Sequence, residues 1–250
     1  MAVSDMLRVV RLLANHGTQV LVITGGEPTL ISDLPIVLRE VKALGMKSVL
    51  SSNGLLLGPR MDEIIANLDW LALPLDGPTA DINGRMREGS SQHFRAVLDL
   101  LAQVRARYPR LKIKLGTVVT RLNAKYICDI PSVLPPDALP DVWKIYQFSP
   151  SSYGKDNQLS LEIGGDEFEA AVANARRAAE RLNLRLAVYR NSERDGKYLF
   201  IEPNGEAVVI HDGAELTIGN ILNDPDGVLD TWPGFIDEQR LQSNADLTYP

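Results

Sequence analysis

Short apolar runs with strand-like composition alternate along this chain with longer stretches of helical periodicity, and that alternation restricts the fold more than any other feature. "QVLVIT", "KSVLSSNG", "WLALPLDG", "KIKLGTVV", "VWKIYQFS" and "LRLAVY" read as strands. Between them lie "DLPIVLREVKALG", a helix capped by Asp33 and ended by Gly45, then "MDEIIANL", the amphipathic "HFRAVLDLLAQVRARY" and "DEFEAAVANARRAAERLN". Strand, helix, strand in repetition implies right-handed βαβ units and a parallel sheet. "QVLVIT" is expected to be a buried strand. The predicted fold is therefore α/β, a partial (β/α) barrel. Its first βα unit is incomplete, because the chain opens on a helix, "MLRVVRLLANHG", that ends at Gly17. Residues 1–190 are expected to form the barrel core. Residues 191–250 form an extension in which "KYLFIEPNGEAVVIHDG" signals a hairpin around Pro203-Asn204-Gly205.

The polar punctuation falls at the C-terminal ends of the strands. Gly25, Gly26 and Glu27 follow the first; Ser51, Ser52, Asn53 and Gly54 the second; Asp76 and Gly77 the third. Thr117, Thr120, Arg121 and Asn123 come next, then Gln147 and Ser149. Any one of these is an ordinary turn. Five in register mark a single face, the one on which (β/α) proteins build their sites. Glycines at 25 and 26 let a ligand approach the main chain. Freed carbonyls with the Glu27 carboxylate beside them suit an ammonium group.

Bulk properties exclude some classes. A formal charge of −6 argues against a general nucleic-acid binder. No apolar stretch reaches membrane-spanning length, no signal-peptide pattern opens the chain, and cytoplasm is the expected location. The one cysteine, Cys128, makes an internal disulfide impossible and reads as a packing residue, alternating with Tyr126 and Ile130.

"GGEPTL", "SSNG", "WLALPLDGP" and "LGTVVTRLN", in that order, resemble the radical S-adenosylmethionine superfamily. "NGR" at 83–85, "KIKLGTVVTRLN", "WKIYQFSP" and "YLFIEPNG" are most similar to its viperin-like subgroup. The resemblance implies S-adenosylmethionine as cofactor, with the methionine ammonium at Gly25, Gly26 and Glu27 and Asp76 among the cofactor-binding positions. Ser51 and Asn53 would lie by the ribose and carboxylate, Arg85 would pair with the methionine carboxylate, and Tyr146 and Gln147 would pass the adenine. Lys114, Lys144 and Tyr198 match positions lining the substrate pocket and are the catalytic candidates.

Four departures accompany the likeness. The CxxxCxxC loop of the family, which holds a [4Fe-4S] cluster through three thiolates, lies upstream of this chain's first helix. With Cys128 alone, no metal site is expected here, and a cluster is implied only if residues precede Met1 in the natural protein. Pro74 replaces the serine expected before Asp76, and Gly116 stands where the subgroup has asparagine. Few basic residues remain near the C-terminus, and with the acidic balance this weighs against a nucleoside triphosphate substrate. The expected function is an S-adenosylmethionine-binding enzyme of this fold without its own cluster. It would be a transferase or lyase working by non-radical chemistry at the sulfonium, or a truncated radical enzyme. The alternative is an inactive pseudoenzyme acting as a binding or regulatory partner. The partner is expected to be a small molecule, with no nucleic acid and no membrane. A homodimer or a partner chain is expected to cover the open barrel edge near Met1 to Val22; alternatively, Asp224 to Pro250 folds over the opening.

Overall fold

The computed structural model describes residues 1–87, 92–150 and 152–237. Helix α1 (Val3–Asn15) leads into strand β1 (Val20–Ile23). There follow α2 (Leu34–Ala43), β2 (Lys47–Ser51), α3 (Met61–Ile65), β3 (Trp70–Pro74), α4 (Ala80–Arg85), α5 (His93–Arg107) and β4 (Lys112–Val119). The short α6 (Ile130–Val133) precedes β5 (Val142–Gln147), then come α7 (Gln158–Leu161), α8 (Gly165–Arg181) and β6 (Leu186–Tyr189). The strands pair in chain order, β1 to β6, every pair parallel. This is the six-stranded partial barrel that the βαβ alternation predicts.

The pleat sorts each strand's residues to two faces. Leu50, Leu71, Leu73, Ile113, Leu115, Trp143 and Ile145 enter the main core with Val97, Leu101 and Val104 of α5 and Phe168 and Ala175 of α8. The opposite face lines the barrel interior. Its floor is a smaller apolar cluster of Val49, Trp70, Ala72, Val142, Ala187 and Tyr189. Register then dictates what lies across it. Lys114 stands opposite Ala72 on β3, Lys144 opposite Gly116 on one side and Ala187 on the other, and Tyr146 opposite Tyr189. An indole bond fastens the outer face: Trp143 Nε1 donates to Thr117 Oγ1 at 2.9 Å, and that hydroxyl donates to the Leu75 carbonyl at 2.6 Å.

Three expectations need correction, and a fourth, the hairpin, is borne out and extended. β1 is half-exposed rather than buried, with Val22 36% accessible, because it is the edge strand and has a neighbour on one side only. Asp33 occupies the cap position of α2 but its side chain caps nothing; its backbone (φ −87°, ψ 6°) is not the extended conformation that aims a capping side chain at the first turn. Cys128 is half-buried, and Ile127 takes the core position instead, because the segment coils as a turn of 3₁₀ helix (Ile127–Asp129) in which strand alternation does not apply. The hairpin of β7 (Leu199–Ile201) and β8 (Glu206–His211) gains a third antiparallel strand, β9 (Ala214–Asn220), too exposed and polar to carry an apolar alternation.

α1 packs against two partners. Val10 meets Val37, Val41 and Met46 of the α2 layer. Val9 and Leu13 meet Ala207, Ile221, Val228 and Leu229 of the three-stranded sheet and of α9 (Pro225–Thr231). The C-terminal elements thus dock through the first helix. The segment expected to fold over the opening, Asp224 to Pro250, is described only to Asp237; residues 238–250 lie outside the described residues.

Ile221 is fully buried at the centre of that contact. Ile221→Ala should cost about 2–4 kcal/mol by the usual large-to-small penalty. Hydrogen exchange should show protection lost first in β8, β9 and α1, while β3 to β5 stay protected. Uniform loss across the sheet would refute the docking described.

Candidate functional site

Glu27 follows the edge strand, and its carboxylate is fully engaged. Oε1 accepts from Thr29 N (3.0 Å), Thr29 Oγ1 (2.5 Å) and Ser52 Oγ (2.8 Å), and Oε2 accepts from Asn53 N (2.7 Å). With three donors on Oε1 and one on Oε2, most of its accepting capacity is used within the chain. Burial alone would raise its pKa; the hydrogen bonds from Thr29, Asn53 and Ser52 pull it below the usual carboxylate value. From the other side Arg60 donates to the carbonyls of Thr29 (3.2 Å), Ile31 (2.9 Å) and Ser32 (2.6 Å). Glu27 therefore ties the loops after β1 and β2 together. The acceptors left for a ligand are the main-chain groups of the exposed Gly25-Gly26 turn. Gly25 adopts φ +122°, closed to other residues, and a Cβ on either glycine would project into open space that a ligand can use.

The loop after β3 is tied in the same manner. Asp76 is 2% exposed; its Oδ2 accepts from Arg87 Nη2 at 2.7 Å and its Oδ1 from Val118 N at 2.8 Å. Asp76 N donates to Asn83 Oδ1 at 2.9 Å, and the Asp76 carbonyl accepts from Asn123 Nδ2 at 2.8 Å. Asn123 also accepts from Thr120 N at 2.8 Å. Asn83 Nδ2 lies 3.0 Å from His93 Nδ1 on α5. One polar belt thus joins the ends of β1 and β2, and a second those of β3 and β4.

Other sequence candidates are redistributed. Ser51 ends β2 on the interior face, but it is the next residue, Ser52, that enters the belt. Arg85 lies on the surface of α4, paired with Asp81 at 2.6 Å, and Arg87 holds the buried carboxylate instead. Gln147 points to the opposite face from Tyr146; its Oε1 accepts from Asn191 N at 3.1 Å and fastens the chain leaving β6. Strand alternation separates these two neighbours that sequence order had grouped.

Tyr146, Lys114 and Lys144 do share the interior. Tyr146 stacks on Tyr189 with ring centroids 5.1 Å apart. Lys144 is 1% exposed; its Nζ donates to Tyr189 Oη at 2.9 Å and sits 4.7 Å from that ring's centroid. Burial first, then the charges of Lys114 and Arg185, push its pKa down to about 6. Burial pushes Lys114 down to about 8. Lys197, 8% exposed and carried by the segment after β6, brings its Nζ to 5.9 Å from the Tyr189 centroid. Burial of the Tyr198 hydroxyl, with Tyr189 beside it, pushes that phenol's pKa up, although the residue as a whole is 39% exposed. Three lysines and three tyrosines thus surround one interior. Arg87, His93, Tyr189 and Lys197 were not singled out from sequence. Ser52 stood among the polar residues after the second strand, and Asn83 lay inside the quoted "NGR".

An α/β half-barrel with its polar groups and an opened glycine turn gathered at the C-terminal strand ends is the architecture of a small-ligand enzyme. The chain belongs to the radical SAM superfamily, which matches residues 1–129, just over half its length. It is 29% identical over 205 residues to an S-adenosylmethionine-dependent nucleotide dehydratase of Flammeovirga pacifica, covering 80% of this chain and 67% of that protein. It is 30% identical over 206 residues to a protein of the same name from Lacinutrix mariniflava, covering 80% and 41%. Among solved structures, Streptococcus suis SuiB bound to S-adenosylmethionine superposes with a TM-score of 0.70 at 14% identity, over 97% of this chain and 60% of that one. The chain thus spans between two fifths and two thirds of the lengths of these relatives. S-adenosylmethionine is the cofactor of the family, and the open Gly25-Gly26 turn fits it. The 250 residues contain one cysteine, so they do not supply the three thiolates of a [4Fe-4S] cluster. Among the described residues no helix is long and apolar enough to cross a membrane.

Lys144 gives a pH-dependent expectation. Its folded pKa lies below its unfolded one, so the unfolded chain binds the extra proton between pH 10.5 and about 6. Stability therefore declines as pH falls through that window and levels off below it. Lys144→Met removes this linkage. Its gain in melting temperature over wild type should grow as pH is lowered from 10 to 6; a constant difference would contradict the buried neutral amine.

Proposed function

We propose that this chain is an S-adenosylmethionine-binding enzyme of the radical SAM fold. It holds the adenosyl ligand across the C-terminal strand ends and a small anionic substrate deeper in the half-barrel. The observation that carries the reading is the pairing of an acceptor-rich glycine turn at the rim with Lys114, Lys144 and Lys197 inside. The ligand's ammonium would be received by main-chain carbonyls at Gly25 and Gly26, with the Glu27 charge just behind them. Its ribose would lie along Ser51 and Asn53, and its adenine beside Tyr146. The lysines suit phosphate-like or carboxylate groups, and the likeness to nucleotide dehydratases supports that substrate class.

The chain's own residues contribute binding, orientation and charge. Holding a nucleophile in line with a sulfonium accelerates transfer without any electron, and positioning alone supplies much of such a rate. This non-radical form, as transferase or lyase, is the one these 250 residues support alone. A longer protein bearing the three cysteines would add the family's reductive cleavage. A pseudoenzyme would keep the binding and show no turnover. The open edge of β1 supports a further proposal, that a second subunit or partner strand pairs there. Light scattering should then give a mass above that of the monomer, and a clean monomer at micromolar concentration overturns it.

Calorimetry with S-adenosylmethionine tests the reading, and a folded protein that does not bind it overturns the function. Glu27→Gln should weaken binding by about ten- to a hundredfold, since a charged acceptor is typically worth about 1.5–3 kcal/mol. The loss should act by loosening the Ser52-Asn53 loop, so hydrogen exchange there should rise in parallel. Lys114→Met with Lys144→Met should abolish binding of tripolyphosphate and leave S-adenosylmethionine affinity in place. Equal tripolyphosphate affinity in the double variant would remove the anionic substrate.

A further inference from the structure

Arg60 stands between the two loops from which the proposed ligand site is built. Its backbone is anchored on the β2 side, where Arg60 N donates to the Leu57 carbonyl at 3.0 Å and the flanking Leu57 and Met61 are buried. Its guanidinium reaches back to the β1 side and donates to the carbonyls of Thr29 (3.2 Å), Ile31 (2.9 Å) and Ser32 (2.6 Å). A planar fork of N–H groups can span such a set; the compact ammonium of a lysine cannot. The exposed Glu63 lies 3.8 Å from Nε.

The segment that Arg60 grips has little rigidity of its own. Pro28–Leu30 is one turn of 3₁₀ helix, whose hydrogen bonds are poorly aligned. Gly25 and Gly26 precede it and impose no conformation. Thr29, held through its carbonyl by Arg60, donates from its backbone N and its hydroxyl to Glu27 Oε1, so the clamp is passed on to the residue beside the glycines. The same bonds use up acceptors. Leu30 N takes the Glu27 carbonyl at 3.2 Å and Ile31 N that of Pro28 at 3.0 Å, while Arg60 takes those of Thr29, Ile31 and Ser32. The exposed Gly25 and Gly26 carbonyls stand outside this set.

We infer that Arg60 is a positioning residue for the methionine end of the adenosyl ligand: it clamps the turn after β1 through three carbonyls and so leaves Gly25 and Gly26 as the acceptors presented to the ammonium. The inference rests on the ligand placement proposed above.

The test uses the full chain with S-adenosylmethionine, methylthioadenosine and tripolyphosphate as separate probes. Methylthioadenosine carries the adenosine and the sulfur but no amino group. Arg60→Ala should lose about ten- to a hundredfold in affinity for S-adenosylmethionine, the cost of ordering one or two freed residues on binding. Its affinity for methylthioadenosine should stay within about twofold of wild type, because Glu27 keeps its bonds to Ser52 and Asn53, and tripolyphosphate should bind unchanged. Arg60→Lys keeps the charge without the fork and should lose about three- to tenfold for S-adenosylmethionine alone, which serves as the test if the alanine variant does not fold. Hydrogen exchange over residues 25–30 should rise in both variants. Wild-type protein that binds no S-adenosylmethionine overturns the functional reading. Wild-type binding with unchanged S-adenosylmethionine affinity in a folded variant, or with equal losses for methylthioadenosine, overturns only the role of Arg60.

Discussion

Two carboxylates, each hydrogen-bonded through both oxygens from within the chain, hold the upper rim of this half-barrel together. A parallel sheet ends in loops whose backbone groups need partners. Glu27 satisfies those of the β1 and β2 loops, and Asp76 those of β3 and β4. Asn83 ties Asp76 to His93 on α5. Buried polar groups of this kind are costly unless they are hydrogen-bonded, and the carboxylates of Glu27 and Asp76 both are.

The same economy explains a mismatch between global and local charge. The chain carries a formal −6, yet its interior holds Lys114, Lys144 and Lys197. Net charge reports on the surface, where most acidic residues sit, and says little about a lumen a few residues wide. Burial lowers the pKa values of Lys114 and Lys144.

The alternation of apolar runs with helical periodicity determined the parallel partial barrel, its strand order and the face on which polar residues collect, because period-2 and period-3.6 patterns are local and survive without contacts. The turn chemistry at 25–27 and 51–54 was equally legible, since glycine and small polar residues declare themselves at loop positions. What sequence order could not determine was which neighbour a side chain meets. Tyr146 and Gln147 are adjacent in the chain and on opposite faces of β5; Arg85 and Arg87 differ by two positions, and one reaches solvent while the other reaches Asp76. His93 opens a helix and reads as a cap or core residue until the fold brings its Nδ1 within 3.0 Å of Asn83 Nδ2. Lys197 enters the interior only because the chain after β6 folds back over Tyr189. These contacts join residues far apart in sequence, and their energies depend on burial and orientation, which exist only once the sheet has closed.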